Sequence, residues 1–352
     1  MKINEQKLSE FVDRAIKDLA AGYGGVMIGL GHKLGLYRAM AGAGPLSSHE
    51  VAARSGCAER YVREWLNSQA AGAYLLYHPD SATYELTAEQ SAVLAEEDSP
   101  VFLPPAWEVP FSMLFDEQKA IEAFRTGKGI GWDVHNERLF RGVAAFYRNG
   151  YRNNLVSDWL PALEGVEEKL RAGARVADVG CGHGHSTIIM SEAFPHSSFW
   201  GFDYHQGSID AASENARIAG VENRVTFHVA DAKSYPACNF DLICFFDCLH
   251  DMGDPVGVAQ HARETLAEDG TVLLIEPFAG DRVEDNLNPV GRLYYSASTT
   301  LCCAHSLSED GGEALGAQAG EARLANVFKK AGFQKFRRCK ATPFNLILEA
   351  QP

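Results

Sequence analysis

Positive charge is scarce in this chain: 32 Lys and Arg stand against 46 Asp and Glu in 352 residues, a formal net charge of −14. That balance repels phosphate backbones and anionic bilayer surfaces, so neither nucleic acid nor membrane is expected as a partner. Long hydrophobic runs are also missing, and none approaches the length of a membrane span. The opening stretch, Met1-Lys-Ile-Asn-Glu-Gln-Lys-Leu-Ser-Glu10, lacks the apolar segment of a signal peptide, which makes the cytoplasm the expected location. The eight cysteines form no C-x-x-C and no zinc-type spacing. Reduced thiols are expected rather than disulfides, and no metal site.

The informative segment is Arg175-Val-Ala-Asp-Val-Gly-Cys-Gly-His-Gly184. A β-branched run ends in Asp178 and is followed by glycines at alternate positions, Gly180, Gly182 and Gly184. Such a loop turns a strand sharply into a helix and lets a ligand approach the bare backbone. A dinucleotide loop would read G-x-G-x-x-G, but its last position here is His185. The missing glycine is the one that packs helix on strand beneath a pyrophosphate, so a nucleoside cofactor without pyrophosphate is favoured over NAD. Asp203 follows Gly184 by 19 residues at the end of the next apolar run, the distance at which an acid accepts from a ribose diol.

Further runs repeat the pattern. Arg224–Asp231, Phe240–Asp247 and Gly270–Glu276 read as strands, and Ser208–Ala219, Pro255–Leu266 and Glu321–Ala331 as helices. Alternation of this kind predicts a parallel, Rossmann-like α/β sheet whose ligands bind at the carboxyl ends of the strands. Asp178 approaches that edge, and Asp203, Asp231 and Asp247 sit at it.

From about Arg171 onward the chain resembles the class I S-adenosylmethionine-dependent methyltransferases. The resemblance implies a seven-stranded sheet with the last strand antiparallel, Phe344–Ala350 being that edge strand. It implies S-adenosyl-L-methionine as cofactor. Gly180, Gly182 and Gly184 would line its amino-acid end, which Asp178 would orient. Asp203 would take the ribose hydroxyls, with Tyr204 near the adenine. Asp231 would accept from the adenine amino group, and Ala232 would offer its N–H to the ring. Asp247 would belong to the same cofactor shell.

Length suggests two domains and a linker: residues 1–95, 96–170 and 171–352. Asn4–Ala20 carries a helical apolar stripe of Leu8, Phe11, Val12, Ala15, Ile16 and Leu19, and Gly24–Met40 reads as a second helix, rich enough in glycine to require close packing. A short helix after Ser47 or Ser48, a helix over Ala58–Ala71 and a hairpin over Tyr74–Leu86 form a winged helix-turn-helix pattern. DNA binding is the obvious use, but residues 1–100 hold nine Lys and Arg against thirteen Asp and Glu. The module also resembles that of small-molecule O-methyltransferases, where it builds a homodimer and helps wall the active site.

The segment Asp247-Cys-Leu-His250-Asp251-Met-Gly-Asp254 places a histidine among acids at the strand edge. Transfer of a methyl group to a hydroxyl requires removal of its proton, and histidine titrates in the suitable range. The segment resembles the histidine–aspartate motif of winged-helix O-methyltransferases, which makes His250 the candidate base. Trp132, Tyr147 and Tyr151, with Phe111, are candidates for the acceptor wall, as are Arg292 and Tyr295 in the stretch Asn288–His305. The leading expectation is an enzyme that methylates a small aromatic or hydroxylated molecule. The alternative is a regulator that senses S-adenosylmethionine and binds DNA.

Overall fold

The computed structural model describes residues 2–352, and the chain divides into two compact units, one ending at Phe111 and the other running Ser112–Pro352. The segment 96–170 is split between them.

The first unit is helical apart from one hairpin. Its helix Glu5–Lys33 is capped by Asn4, whose side chain accepts from the Lys7 N–H. This helix runs without a break from the first of the two expected, over 4–20, into the second, over 24–40, whose last part is the separate helix Leu36–Met40 begun by Gly35 at φ +68°. The close packing expected of its glycines is seen at three of them. A Cβ on Gly25 would lie 2.3 Å from the Trp107 ring, one on Gly29 would lie 2.9 Å from Phe111, and one on Gly31 would lie 2.5 Å from Trp65. The aromatic rings occupy the space that side chains would fill, which offsets the helix-propensity cost of glycine. Phe111 is thus a packing residue of this unit. Helix Ser48–Ser55 starts in a capping box of Ser47 and Glu50 and stops at Gly56, where φ is +68°. Helix Glu59–Ala71 follows. The strands β1, Leu76–His78, and β2, Thr83–Glu85, form the antiparallel wing.

The second unit is built on a sheet of seven strands: β3 Arg175–Val179, β4 Ser198–Asp203, β5 Val225–Val229, β6 Phe240–Phe246, β7 Leu266–Pro277, β8 Lys335–Ala341 and β9 Asn345–Gln351. Their order is β5-β4-β3-β6-β7-β9-β8. The five strands from β3 to β7 are parallel, and β9 is antiparallel to both β7 and β8. One expectation is corrected here: Phe344–Ala350 is not the edge strand. Residues Leu346 to Ala350 are buried, as a strand covered on both sides requires. The edge is β8, whose Lys335, Arg337, Arg338 and Lys340 are exposed and discourage pairing with another chain.

Two apolar layers hold the sheet, one on each face. Phe240, Phe245, Val258, Leu274 and Phe328 belong to one, and Leu155, Leu170, Phe199, Leu242 and Ile347 to the other. Strand order reverses at β3: the chain adds β4 and β5 on one side and then returns to lay β6 on the other, so the crevice at the carboxyl ends of β3 and β6 is the topological switch point where such sheets bind ligands. No helix among the described residues is long and apolar enough to cross a membrane.

Candidate active site

Two loops flank that crevice. After β3, Gly180, Gly182 and Gly184 all have positive φ, from +51° to +74°. A Cβ on Gly180 would lie 2.8 Å from Cys248 Sγ, and one on Gly184 would lie 2.4 Å from the Phe227 ring. These two glycines are required by protein contacts. Gly182 is different: a Cβ there would meet nothing within 4 Å, so the backbone at this point is bare on an open side.

Acids end four adjacent strands. Asp178, fully buried on β3, accepts from Ser186 and Thr187 hydroxyls at 2.6 Å, both on one oxygen. Its other oxygen, Oδ1, is buried without a partner. Burial raises the carboxyl to about 6 against the pull of those hydroxyls. Asp203 on β4 accepts the Gly182 N–H and the His205 N–H, both at 2.9 Å, and burial raises its pKa. Asp247 follows β6 in a left-handed conformation with φ +51°. Its Oδ1 accepts from Asn345 at 2.9 Å, and its Oδ2 is buried and unpartnered. Burial, and then the charge of Glu276, push its pKa well above the carboxylate range. Glu276 itself lies near the end of β7.

The orphaned oxygens of Asp178 and Asp247 are acceptors left without donors in a buried crevice, a costly arrangement unless a ligand satisfies them. An edge lined by carboxylates repels a pyrophosphate and suits a cation. S-adenosylmethionine carries a sulfonium and an ammonium, so the residues present fit it.

His250 stands on the short turn Leu249–Asp251 after β6, 3% exposed. Its Nδ1 is 2.5 Å from Glu276 Oε2, and the other oxygen of Glu276 accepts the Leu249 N–H at 3.1 Å. A carboxylate only accepts, so Nδ1 carries the proton and Nε2 is the unprotonated nitrogen of the neutral ring; the Cys302 side chain also hydrogen-bonds this ring. Burial alone lowers the histidine pKa, but Glu276, together with the neighbouring Cys302, raises it more, and it ends well above the usual value. Asp251 beside it is raised to about 6 by burial, against the charges of His250 and His305.

The structure gathers some of the expected wall residues and leaves others outside. Tyr147 and Tyr151 stack on each other at 6.0 Å on helix Arg138–Asn154, and Tyr151 packs on Phe246. The Phe246 contact places the pair beside the carboxyl end of β6, where burial, and then the nearby Asp247, raise both phenols well above the usual range. Trp132 packs edge-on to His305 and Phe140. Arg292 and Tyr295 are not in this group: helix Pro289–Thr300 buries Gly291, Tyr294 and Ser298, which turns positions 292 and 295 outward. Tyr294 is the buried tyrosine, and its hydroxyl donates to Phe344 O at 2.8 Å. Asp231 is exposed, its Oδ1 accepting the Lys233 N–H, and Ala232 is half-buried behind it. Tyr204 stacks on His305.

Sequence reasoning missed Glu276, Tyr294, Cys302 and His305. Glu276 was within reach, because it ends the strand expected next to that of His250.

On the winged-helix unit, the charges of helix Glu59–Ala71 are spent within it. Arg63 pairs with Glu59 at 2.6 Å and Arg60 with Glu64 at 2.5 Å. Such a surface offers little free charge to a phosphate backbone.

Sheet order, glycine loop and strand-end acids together define the class I methyltransferase fold. Residues 170–332 match a methyltransferase domain family, and residues 22–96 match the Rv2258c-like winged HTH domain. The first match falls on the unit of the seven-stranded sheet and the second on the winged-helix unit, so the two halves of the chain are similar to these two domain families. It is similar to the 27-O-demethylrifamycin SV methyltransferase of Amycolatopsis mediterranei, 35% identical over 107 residues. That stretch is 30% of this chain and 39% of the relative, so the chain matches about two fifths of its length. Human N-acetylserotonin methyltransferase, solved with S-adenosylmethionine, aligns with a TM-score of 0.67 at 20% identity, covering 97% of each chain. An O-methyltransferase family protein from Burkholderia thailandensis aligns with a TM-score of 0.68 at 18% identity, over 100% of this chain and 98% of its own. At these identities the likeness is one of fold.

Proposed function

We propose that the protein is an S-adenosylmethionine-dependent methyltransferase that acts on a hydroxyl of a small aromatic or hydroxylated molecule. The observation that carries this reading is the His250–Glu276 pair beside an acid-lined glycine loop. Bound there, the cofactor supplies an electrophilic methyl group on a good leaving group. Asp178, Asp247 and the bare backbone at Gly182 hold its cationic amino-acid end, and Asp203 takes its ribose. Tyr204 packs near the adenine, with Asp231 and Ala232 at the polar edge of the base. His250 accepts the hydroxyl proton on Nε2, and Glu276 stabilises the imidazolium so formed. Tyr147, Tyr151, Tyr294 and Trp132 wall the acceptor and exclude water.

The reading is tested by incubating the protein with S-adenosylmethionine and a panel of phenols and catechols, following S-adenosylhomocysteine release. Turnover of at least one phenol is expected. Cofactor binding with no turnover across a broad panel would contradict it.

The elevated His250 pKa predicts the pH profile. The base must be neutral, so activity rises with pH through the raised folded-state value and levels off above it. The ion pair's contribution to stability has the opposite course. It is complete below about 6.5, the unfolded value, and is lost as pH rises through the folded one. Glu276→Gln removes the charge that raises the pKa, so the activity limb is expected to move to lower pH while the plateau falls. An unmoved limb in kcat against pH contradicts the pairing.

The protein acts as a homodimer through the first unit. Helix Glu5–Lys33 exposes Leu8, Phe11, Val12, Ile16, Leu19 and Tyr23, an apolar face long enough to mark association. The double variant Phe11→Glu/Leu19→Glu is expected to halve the mass measured by light scattering, and an unchanged mass contradicts this interface. The eight cysteines are all unpaired, which fits a reducing cytoplasm.

A further inference from the structure

His305 is 6% exposed and lies outside the chemistry assigned above, yet contacts from three directions converge on it. One face of its ring stacks on Tyr204, with centroids 5.7 Å apart and planes within 5°. Its Nδ1 accepts the backbone N–H of Trp132 at 3.2 Å. With Nδ1 an acceptor, Nε2 bears the proton and faces Glu309 Oε1 at 3.3 Å. The other oxygen of Glu309 accepts the Gly253 N–H at 2.7 Å, three residues past His250.

The Trp132 contact is part of a strap. Ile130 N–H donates to Ala304 O at 2.7 Å. A Cβ on Gly129 would lie 2.1 Å from both Ala304 O and Ser308 N, so only glycine lets the strap lie against the helix Cys302–Ser306. At the far end, Asp116 accepts the His135 Nδ1–H at 3.0 Å and the Asn136 N–H at 2.9 Å. The segment 129–136 that contains the strap is thus tied down at both ends, and the Trp132 ring packs edge-on to His305 at 6.2 Å.

We propose that His305 is a positioning residue that couples the cofactor site to the Gly129–Trp132 strap. This rests on the cofactor reading above, in which Tyr204 packs near the adenine. Ordering Tyr204 from one side fixes the His305 ring on the other, and the fixed ring holds the Trp132 N–H. An occupied cofactor site therefore tightens the wall that carries Trp132. The coupling is reciprocal, because any ligand that orders the strap also favours the cofactor.

Two substitutions separate the halves of the device. His305→Phe keeps a ring to stack on Tyr204 and removes the acceptor. His305→Asn keeps an acceptor near the place of Nδ1 and removes the ring. Hydrogen exchange at the Ile130 and Trp132 amides reports the strap, and calorimetry with S-adenosylhomocysteine reports the cofactor site. In the unmodified protein, S-adenosylhomocysteine is expected to slow exchange at both amides. In His305→Phe, the Trp132 amide should exchange about fivefold faster without ligand, the loss of one hydrogen bond, and added ligand should no longer slow it. In His305→Asn, that amide stays protected, and affinity for S-adenosylhomocysteine falls about fivefold with loss of the ring pair. Gly129→Ala loosens the strap without substituting His305, because its Cβ would collide with Ala304 O and Ser308 N. It should speed exchange of the same amides and, the coupling being reciprocal, lower affinity for S-adenosylhomocysteine, and it would stand in if His305→Phe does not fold.

Equal slowing by ligand in the unmodified protein and His305→Phe overturns the coupling, as does identical behaviour of the two His305 variants. Failure of the unmodified protein to bind S-adenosylhomocysteine overturns the cofactor reading and the coupling with it. Unchanged Trp132 exchange in ligand-free His305→Phe overturns the strap contact and the coupling through it but leaves the cofactor reading standing, so the two failures are distinguishable.

Discussion

His250→Ala is expected to slow methyl transfer by about 10²- to 10⁴-fold, the usual worth of a positioned general base, while leaving affinity for S-adenosylhomocysteine nearly intact. The asymmetry follows from where the residue stands. His250 is reached from the end of β6, its Nδ1 is taken by Glu276, and Nε2 is the nitrogen assigned to an acceptor hydroxyl, on a ring that the Cys302 side chain also hydrogen-bonds. None of the groups assigned to the cofactor hydrogen-bonds its ring. The same change also leaves Glu276, 1% exposed, without its cationic partner. Some loss of thermal stability is therefore expected, because an unpaired buried carboxylate is costly. Single-turnover rates with a phenolic acceptor, measured beside calorimetry on the same variant, separate the two effects. A rate within about threefold of the parent would mean that the acceptor needs no base, since even the weakest base contributions are near 10²-fold.

Asp203→Ala is expected to weaken S-adenosylhomocysteine binding by one to two orders of magnitude, about 1.5–3 kcal/mol for lost hydrogen bonds to a charged acceptor. Its carboxylate does two things. It is the acid at the end of β4 that the proposal assigns to the ribose, and it already accepts the Gly182 and His205 N–H groups. Removing it deprives the sugar of an acceptor and leaves the bare turn of the glycine loop without its tie. Asp203→Asn keeps the shape and one acceptor oxygen, so it should recover part of the loss. Affinity unchanged in Asp203→Ala would remove the ribose assignment.

The cofactor half was legible because its constraints are local. Three glycines at alternate positions, a β-branched run before them and Asp203 at the end of the next strand all lie within about thirty residues, and each follows from backbone geometry. Of the candidate catalytic pair, His250 could be singled out from the sequence but its partner could not. Glu276 belongs to a different strand, and only the β6–β7 pairing brings the two together. Tyr294 and Tyr295 show the same limit on a smaller scale. Both fit an aromatic wall by composition, and the rotation of one helix decides which of them faces inward. The edge of the sheet was misassigned because β9, although last in the chain, pairs inside β8. Burial on both sides of Leu346–Ala350 against exposed cations on β8 was the signal that distinguished them. The glycines of the long first helix announced close packing, but not its partners, because Trp65, Trp107 and Phe111, whose rings fill the space beside them, lie far along the chain.

The most direct test of the account is a calorimetric titration of the purified protein with S-adenosylhomocysteine, with NAD as the control. One-to-one binding to S-adenosylhomocysteine and none to NAD is the expected result, because the strand-end acids disfavour a pyrophosphate. Binding to NAD, or to neither compound in a folded sample, would contradict the assignment of the crevice.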